Sequence, residues 1–235
     1  MPTTRSYVLV PGAGGSAWYW HRLLPELRRR GHEAIAVDLP AADDRAGLRE
    51  YADAIVAAAG GRRRVVLVGQ SMGGLSAPLA CDRLDAEEIV LVNAMIPAPG
   101  ETGGDWWAAT GQEQARRELD VREGRDPDAP FDPRVMFFHD VPAEVAEEGM
   151  AAEPGQSGTP FGDPWPLEAW PDVPTRVLSA QQDRLFPVDF QIRVARERLG
   201  ITPETMPGGH LVALSRPGEL AARLVGGPAP SSRPD

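Results

Sequence analysis

Lysine is missing from this chain of 235 residues, whose 24 basic side chains are all arginine. That excludes chemistry requiring a lysine side chain: Schiff bases, a lysine general base, the lysine of a phosphate-binding P-loop. Cysteine is almost missing too. Cys81 stands alone, so no disulfide can form within the chain and a reducing compartment is permitted. No stretch approaches the roughly 18 uninterrupted apolar residues of a membrane span. Positive charge is the minority, 24 arginines against 34 acidic residues for a net charge of −10, which argues against a nucleic-acid partner. The opening MPTTRSYVLVPG runs into a strand-like stretch without an apolar signal core, and the expected location is cytoplasmic.

What is present reads as alternating strands and helices. SYVLVPG (6–12), EAIAVDLP (33–40), RVVLVGQ (64–70), EEIVLVNA (87–94) and TRVLSA (175–180) are short apolar runs ending in turn residues, and a weaker sixth covers 202–206. Such continuous apolarity suits strands covered on both faces. Helix-compatible stretches lie between them at 18–30, 48–59, 72–84 and 187–199, with a last one at 211–225. The pattern predicts one α/β domain: a doubly wound, mostly parallel sheet of about six strands with right-handed crossovers. Residues 97–172 interrupt the rhythm. They are rich in Pro, Gly, Trp and acidic residues, with helix-like pieces at 111–123 and 142–151 and no convincing strand. An insertion this long is expected to be a cap over one end of the sheet. The core is then 1–96 with 173–226, and GPAPSSRPD (227–235) is expected to be disordered.

Within LVGQSMGGL, Gly69-Gln70-Ser71-Met72-Gly73 matches G-x-S-x-G, after a buried strand and before a helix. A Cβ at either flanking glycine would collide with neighbouring backbone, and the serine takes strained dihedrals that lift its Oγ above the sheet edge. A serine hydroxyl needs a base. Of four histidines, His21 and His32 flank the first helix as surface or packing residues, and His139 falls in the insertion. His210, on the glycine-rich loop of MPGGHLVALS, can reach back over the strand ends. Asp183, in SAQQDRLFP, follows the fifth strand and is the favoured acid. Asn93, at the rival position after the fourth strand, cannot carry the charge; Asp189 lies a turn further on and Asp172 precedes the strand. The order Ser71, Asp183, His210 is that of an α/β-hydrolase triad. The amides of Met72 and of Ala13, in Pro11-Gly12-Ala13-Gly14-Gly15, are the candidate oxyanion donors. A dinucleotide fingerprint fails in that loop because the third glycine is missing.

These motifs, with VPGAGGSAWYWHRLLPELRRRGHEAIAVDLP and PGGHLVALSRP, resemble the α/β-hydrolase superfamily. The similarity is to its compact branch of plant methylesterases, hydroxynitrile lyases and bacterial esterases; FFHDVPAE is similar to a cap segment of the bacterial members. The resemblance implies a serine carboxylesterase acting on small apolar esters, with Ser71, Asp183 and His210 as triad and no metal or organic cofactor. Cap residues would shape the substrate pocket, for which Gly12, Met95, Trp106, Phe137, Phe138, Trp165 and Leu211 are the candidates. Trp106, Trp107, Trp165 and Trp170 equally suit packing of the cap onto the core. Pro11-Gly12 replaces the family's usual His-Gly. The cap lysine of hydroxynitrile lyases is absent, which disfavours lyase activity. Thioester, lactone or carbon–carbon cleavage on the same triad, and a slow-turnover small-molecule receptor, are the alternatives.

Overall fold

A computed structural model describes residues 4–152 and 155–226; the expectation for 227–235 lies outside them. Six strands, β1 (Ser6–Val10), β2 (Glu33–Ala36), β3 (Val65–Gln70), β4 (Ala86–Val92), β5 (Thr175–Ala180) and β6 (Glu204–Met206), form one sheet in the order β2-β1-β3-β4-β5-β6. Every pairing is parallel, so the C-terminal ends of the strands share one edge.

Both faces of the sheet are covered, which is why its strands read as unbroken apolar runs. Alternate residues feed two cores: Val8, Leu67 and Leu91 pack on one face, Leu9, Val66, Val68 and Val90 on the other. Helices α1 (Leu23–Arg29) and α2 (Leu48–Ala59) follow β1 and β2, and the short α3 (Gly73–Ser76) follows β3. The chain between β4 and β5 forms α4 (Gly103–Thr110), α5 (Gln112–Arg122), α6 (Pro133–Met136), α7 (Ala143–Ala151) and α8 (Thr159–Gly162). Helix α9 (Val188–Leu199) joins β5 to β6, and α10 (Val212–Ser215) and α11 (Pro217–Gly226) close the chain. No helix among the described residues is long and apolar enough to cross a membrane.

Three expected helices are broken, each for a local reason. The stretch 18–30 begins as a 3-10 turn, Ala17–Trp20, capped by Ser16, before α1 starts. Helix α3 gives way to a 3-10 segment, Ala77–Arg83, where Pro78 has no N–H for a helical bond. At 211–225, Pro217 forces Arg216 out of helical geometry (φ −136°, ψ 52°) and divides α10 from α11. The boundaries of α2 and α9 hold to within a residue because Gly60 and Gly200 end them in the left-handed conformation.

The insertion is tied to the strand-end loops by polar contacts. Asp163 accepts the Leu48 N–H at 2.8 Å, capping α2 where Gly47 has no side chain to do so. The Ser157 N–H donates to Ala41 O at 2.7 Å and the Thr159 hydroxyl to Asp44 O at 2.7 Å. Gln156 Oε1 accepts the Gly14 N–H at 2.8 Å, bringing the insertion against the loop after β1.

Candidate active site

Strand order reverses between β1 and β3, so the loops leaving their C-terminal ends part and a crevice opens between them. Ser71 follows β3 directly, on the turn into α3. Its φ of 51° lies in the left-handed region, which costs a non-glycine residue about 1 kcal/mol or more and is held by surrounding packing. The motif's glycines are dictated by space. A Cβ on Gly73 would stand 2.8 Å from the carbonyl oxygens of Val10 and Pro11, and one on Gly69 would stand 2.8 Å from Gly73 O.

Three side chains from three loops meet at this edge. Asp183 lies three residues beyond β5 and is 1% exposed; His210, four residues beyond β6, is 2% exposed. The Nδ1 of His210 is 2.8 Å from Asp183 Oδ2, and its Nε2 is 3.0 Å from Ser71 Oγ. With Asp183 ionised, Nδ1–H donates to the carboxylate and Nε2 accepts the serine hydroxyl proton. Asp183 is fixed by its own loop: Oδ1 accepts the amides of Leu185 (2.9 Å) and Phe186 (2.8 Å), and Oδ2 also accepts Gln191 Nε2 (3.3 Å). The imidazole is walled by aromatic rings, Phe137 stacked on it at 5.2 Å and 29° and Phe186 edge-on at 5.2 Å and 87°.

The loop after β1 touches the serine turn. A Cβ on Gly12 would lie 2.8 Å from Ser71 Cβ, and the Gly12 N–H is fixed by Gln70 Oε1 at 3.1 Å. The next amide along, that of Ala13, and the amide of Met72 have no acceptor among the described residues. Met72 is the residue after Ser71, and Ala13 follows the Gly12 that packs against Ser71 Cβ.

Of the expected pocket residues, Gly12 and Phe137 are at the site. Trp106 is 0% exposed and Trp165 2%, with their indole N–H groups donating to Ile96 O and Leu75 O, both at 3.0 Å. Both thus pack into the core in this structure, the alternative that the sequence left open for them. Met95, 1% exposed, is packed in the same core; its N–H donates to Ser71 O at 2.9 Å and helps hold the turn. Phe138 packs with Trp18 against Gly149 on the other face of the sheet, where Leu211 also joins the core. Trp107 and Trp170 are half-buried against the core, Trp170 stacked on Trp165 at 5.7 Å. His21 is exposed and His32 half-buried, as expected for surface and packing residues.

Sequence reasoning missed Gln70, Gln191 and Phe186. The sequence Asp-x-x-Phe-Pro before a helix is a signal for the turn in which Asp183 accepts the Phe186 N–H; the two glutamines carry none. His139 belongs to the insertion but reaches the His210 loop, its Nε2 lying 2.7 Å from where a Cβ on Gly209 would stand. Burial and then Arg184 push its pKa below the ordinary histidine value.

The chain belongs to the alpha/beta hydrolase family, whose sequence model matches residues 7–223. Among curated proteins it is similar to "Probable esterase PIR7A" of Oryza sativa subsp. indica, 41% identical over 113 residues that make up 43% of each chain. It is 33% identical to "Methylesterase 3" of Arabidopsis thaliana over 149 residues, 55% of this chain and 57% of that one. The matched segments therefore span about half the length of these relatives. Among solved structures, polyneuridine aldehyde esterase superposes with a TM-score of 0.73 at 24% identity, covering 95% of this chain and 99% of that one.

Proposed function

We propose that the protein is a serine carboxylesterase that cleaves small apolar esters through an acyl-serine intermediate. One observation carries this reading: the unbroken line from Ser71 Oγ through both nitrogens of His210 to Asp183, beside two unengaged amides. The names of the similar proteins, esterase and methylesterase, point the same way.

In this reading His210 Nε2 takes the Ser71 proton as Oγ bonds to the ester carbonyl carbon. The carbonyl electron pair moves onto oxygen, where the Ala13 and Met72 amides hold it. Asp183 stabilises the imidazolium across the 2.8 Å contact without taking its proton. Collapse of the tetrahedral intermediate breaks the bond to the alcohol, which leaves with the proton from Nε2. Water, deprotonated by the same nitrogen, attacks the acyl-serine; the acid departs and Ser71 regains its proton. Phe137 and Phe186 keep bulk water from the imidazole, strengthening each of these charge interactions. Residues 97–172 act as the cap that closes over the ester. The one described thiol, Cys81, is buried and free, in keeping with a cytoplasmic location.

The test is hydrolysis of p-nitrophenyl acetate and butyrate by the protein and by Ser71→Ala, with mass spectrometry of the tryptic peptide holding Ser71 after a fluorophosphonate is added. Fast turnover and an adduct on Ser71 support the reading. Hydrolysis undiminished in Ser71→Ala overturns it.

A further inference from the structure

Asn93 follows β4 with a φ of 46°, in the left-handed region, and is wholly buried. Its side chain makes hydrogen bonds to three backbone groups. Oδ1 accepts the Ala180 N–H at 2.7 Å, and Nδ2 donates to Gly209 O and to His210 O, each at 3.1 Å. Ala180 ends β5, and its carbonyl accepts the Asp183 N–H at 3.4 Å. One carboxamide therefore joins the loop that carries Asp183 to the loop that carries His210. Its own turn is bonded to the serine turn, with the Ser71 N–H donating to Val92 O at 3.3 Å and the Met95 N–H to Ser71 O at 2.9 Å. Asn93 is where the Ser71, Asp183 and His210 turns are tied together.

We propose that Asn93 is a positioning residue for the His210 imidazole, acting through its carboxamide on the His210 backbone; this rests on the esterase reading above. The residue type follows from the hydrogen-bond inventory. The site needs one acceptor and two donors on a short side chain, which Asn supplies and Asp, Ser or Leu does not. A turn needed only for its backbone would favour glycine at this φ. The strain is retained because the side chain has work to do. Gln70 assists from β3, its Nε2 donating to the same His210 carbonyl at 3.4 Å while Oε1 holds Gly12. Placement of the base and of the oxyanion loop are thus linked through side-chain amides.

Two substitutions separate positioning from mere structure. Asn93→Gly removes the carboxamide and relieves the backbone strain but leaves the Ala180 N–H and the Gly209 and His210 carbonyls without it. Circular dichroism and a thermal melt therefore establish that it is folded before its rates are read, and Asn93→Asp carries the test if it is not. Asn93→Asp turns an ionisable oxygen toward two carbonyls, and only its neutral acid, with its single O–H, can donate to one of them. Burial raises the pKa of such an acid. The other ionisable groups on the two loops it holds are Asp183, Arg184 and His210; from the insertion, Asp140, whose Oδ2 accepts the Gly209 N–H at 2.7 Å, and His139 pack against Gly209.

Turnover of p-nitrophenyl acetate and the rate of fluorophosphonate labelling are measured from acid to alkaline pH for the unmodified protein, Ser71→Ala and both variants. Asn93→Gly is expected to lower kcat and labelling about 10- to 100-fold, the scale of a misplaced catalytic group, with KM little changed. Asn93→Asp is expected to add a limb on which kcat falls as pH rises, seen in neither other active form. Asn93→Gly at the unmodified rate, or Asn93→Asp without the added limb, overturns the positioning role. Absence of Ser71-dependent labelling in the unmodified protein overturns the esterase reading itself, a distinct result.

Discussion

Ser71 Oγ and His210 Nε2 stand 3.0 Å apart although 139 positions separate them in the chain. The sheet makes this possible, because parallel strands deliver both loops to one edge. Ser71→Ala and His210→Ala are each expected to lower kcat for a p-nitrophenyl ester by on the order of 10³-fold or more, and the double variant to be no worse than the weaker single, since the two act as a unit. Multiplicative losses in the double variant would show that they do not.

Asp183 has a second duty that separates two substitutions. Its Oδ1 accepts the Leu185 and Phe186 amides. Asp183→Ala strands these buried donors, at a cost of about 1 to 3 kcal/mol each, so both stability and activity fall. Asp183→Asn keeps an amide oxygen for the loop but has only N–H left to meet Gln191 and His210. It should retain more of the stability while losing activity by about 10³- to 10⁴-fold. Urea melts and initial rates on the same samples decide it; Asn and Ala variants of equal stability would refute the loop-holding duty.

Gly73 sets how closely the loop after β1 approaches the serine. A Cβ there meets two backbone carbonyls, Val10 O and Pro11 O, at 2.8 Å, and neither can swing aside as a side chain would. Gly73→Ala should destabilise the protein by about 1 to 3 kcal/mol and lower kcat, because the displaced strand end carries Gly12 and Ala13 away from Ser71. Gly162→Ala, in open space at the end of α8, is the control and should change neither. Equal behaviour of the two variants in thermal melts would count against the packing argument.

The sheet was legible from sequence because burial on both faces writes an unbroken apolar run into each strand, and β5 matches its expected range residue for residue. The serine turn was legible because its glycines are demanded by local space. The insertion was legible only in part: α5 and α7 lie within a residue of the expected pieces 111–123 and 142–151, whereas α4, α6 and α8, of 4 to 8 residues, are too short to hold without partners, and those partners are remote, as with Asp163 on α2. Asn93 shows the limit at the site. Its lack of charge could be read from the chain, whereas its value as a donor depends on two carbonyls of the His210 loop that only the fold brings opposite.

His139 makes stability depend on pH with a definite sign. Burial is the largest cause of its lowered pKa and Arg184 the next; Asp140, a backbone group of Gln182 and Asp183 oppose them in part. The folded protein thus holds this proton less tightly than the unfolded chain, whose histidines titrate near pH ~6.5. Stability is complete above that value and is lost as pH falls through it toward the folded pKa. His32, lowered by burial and then by Arg5, adds to the same slope. His139→Gln removes one of the two contributions and should make the fall in Tm between about pH 7.5 and about pH 5.5 shallower by about 1 to 2 °C, small because the imidazole is only half-buried. His32→Gln should do likewise and the two together should sum, since the groups share no partner. Differential scanning calorimetry at closely spaced pH values reads the slope directly, and a steeper fall in His139→Gln would mean that the charged, not the neutral, imidazole is the form the fold prefers.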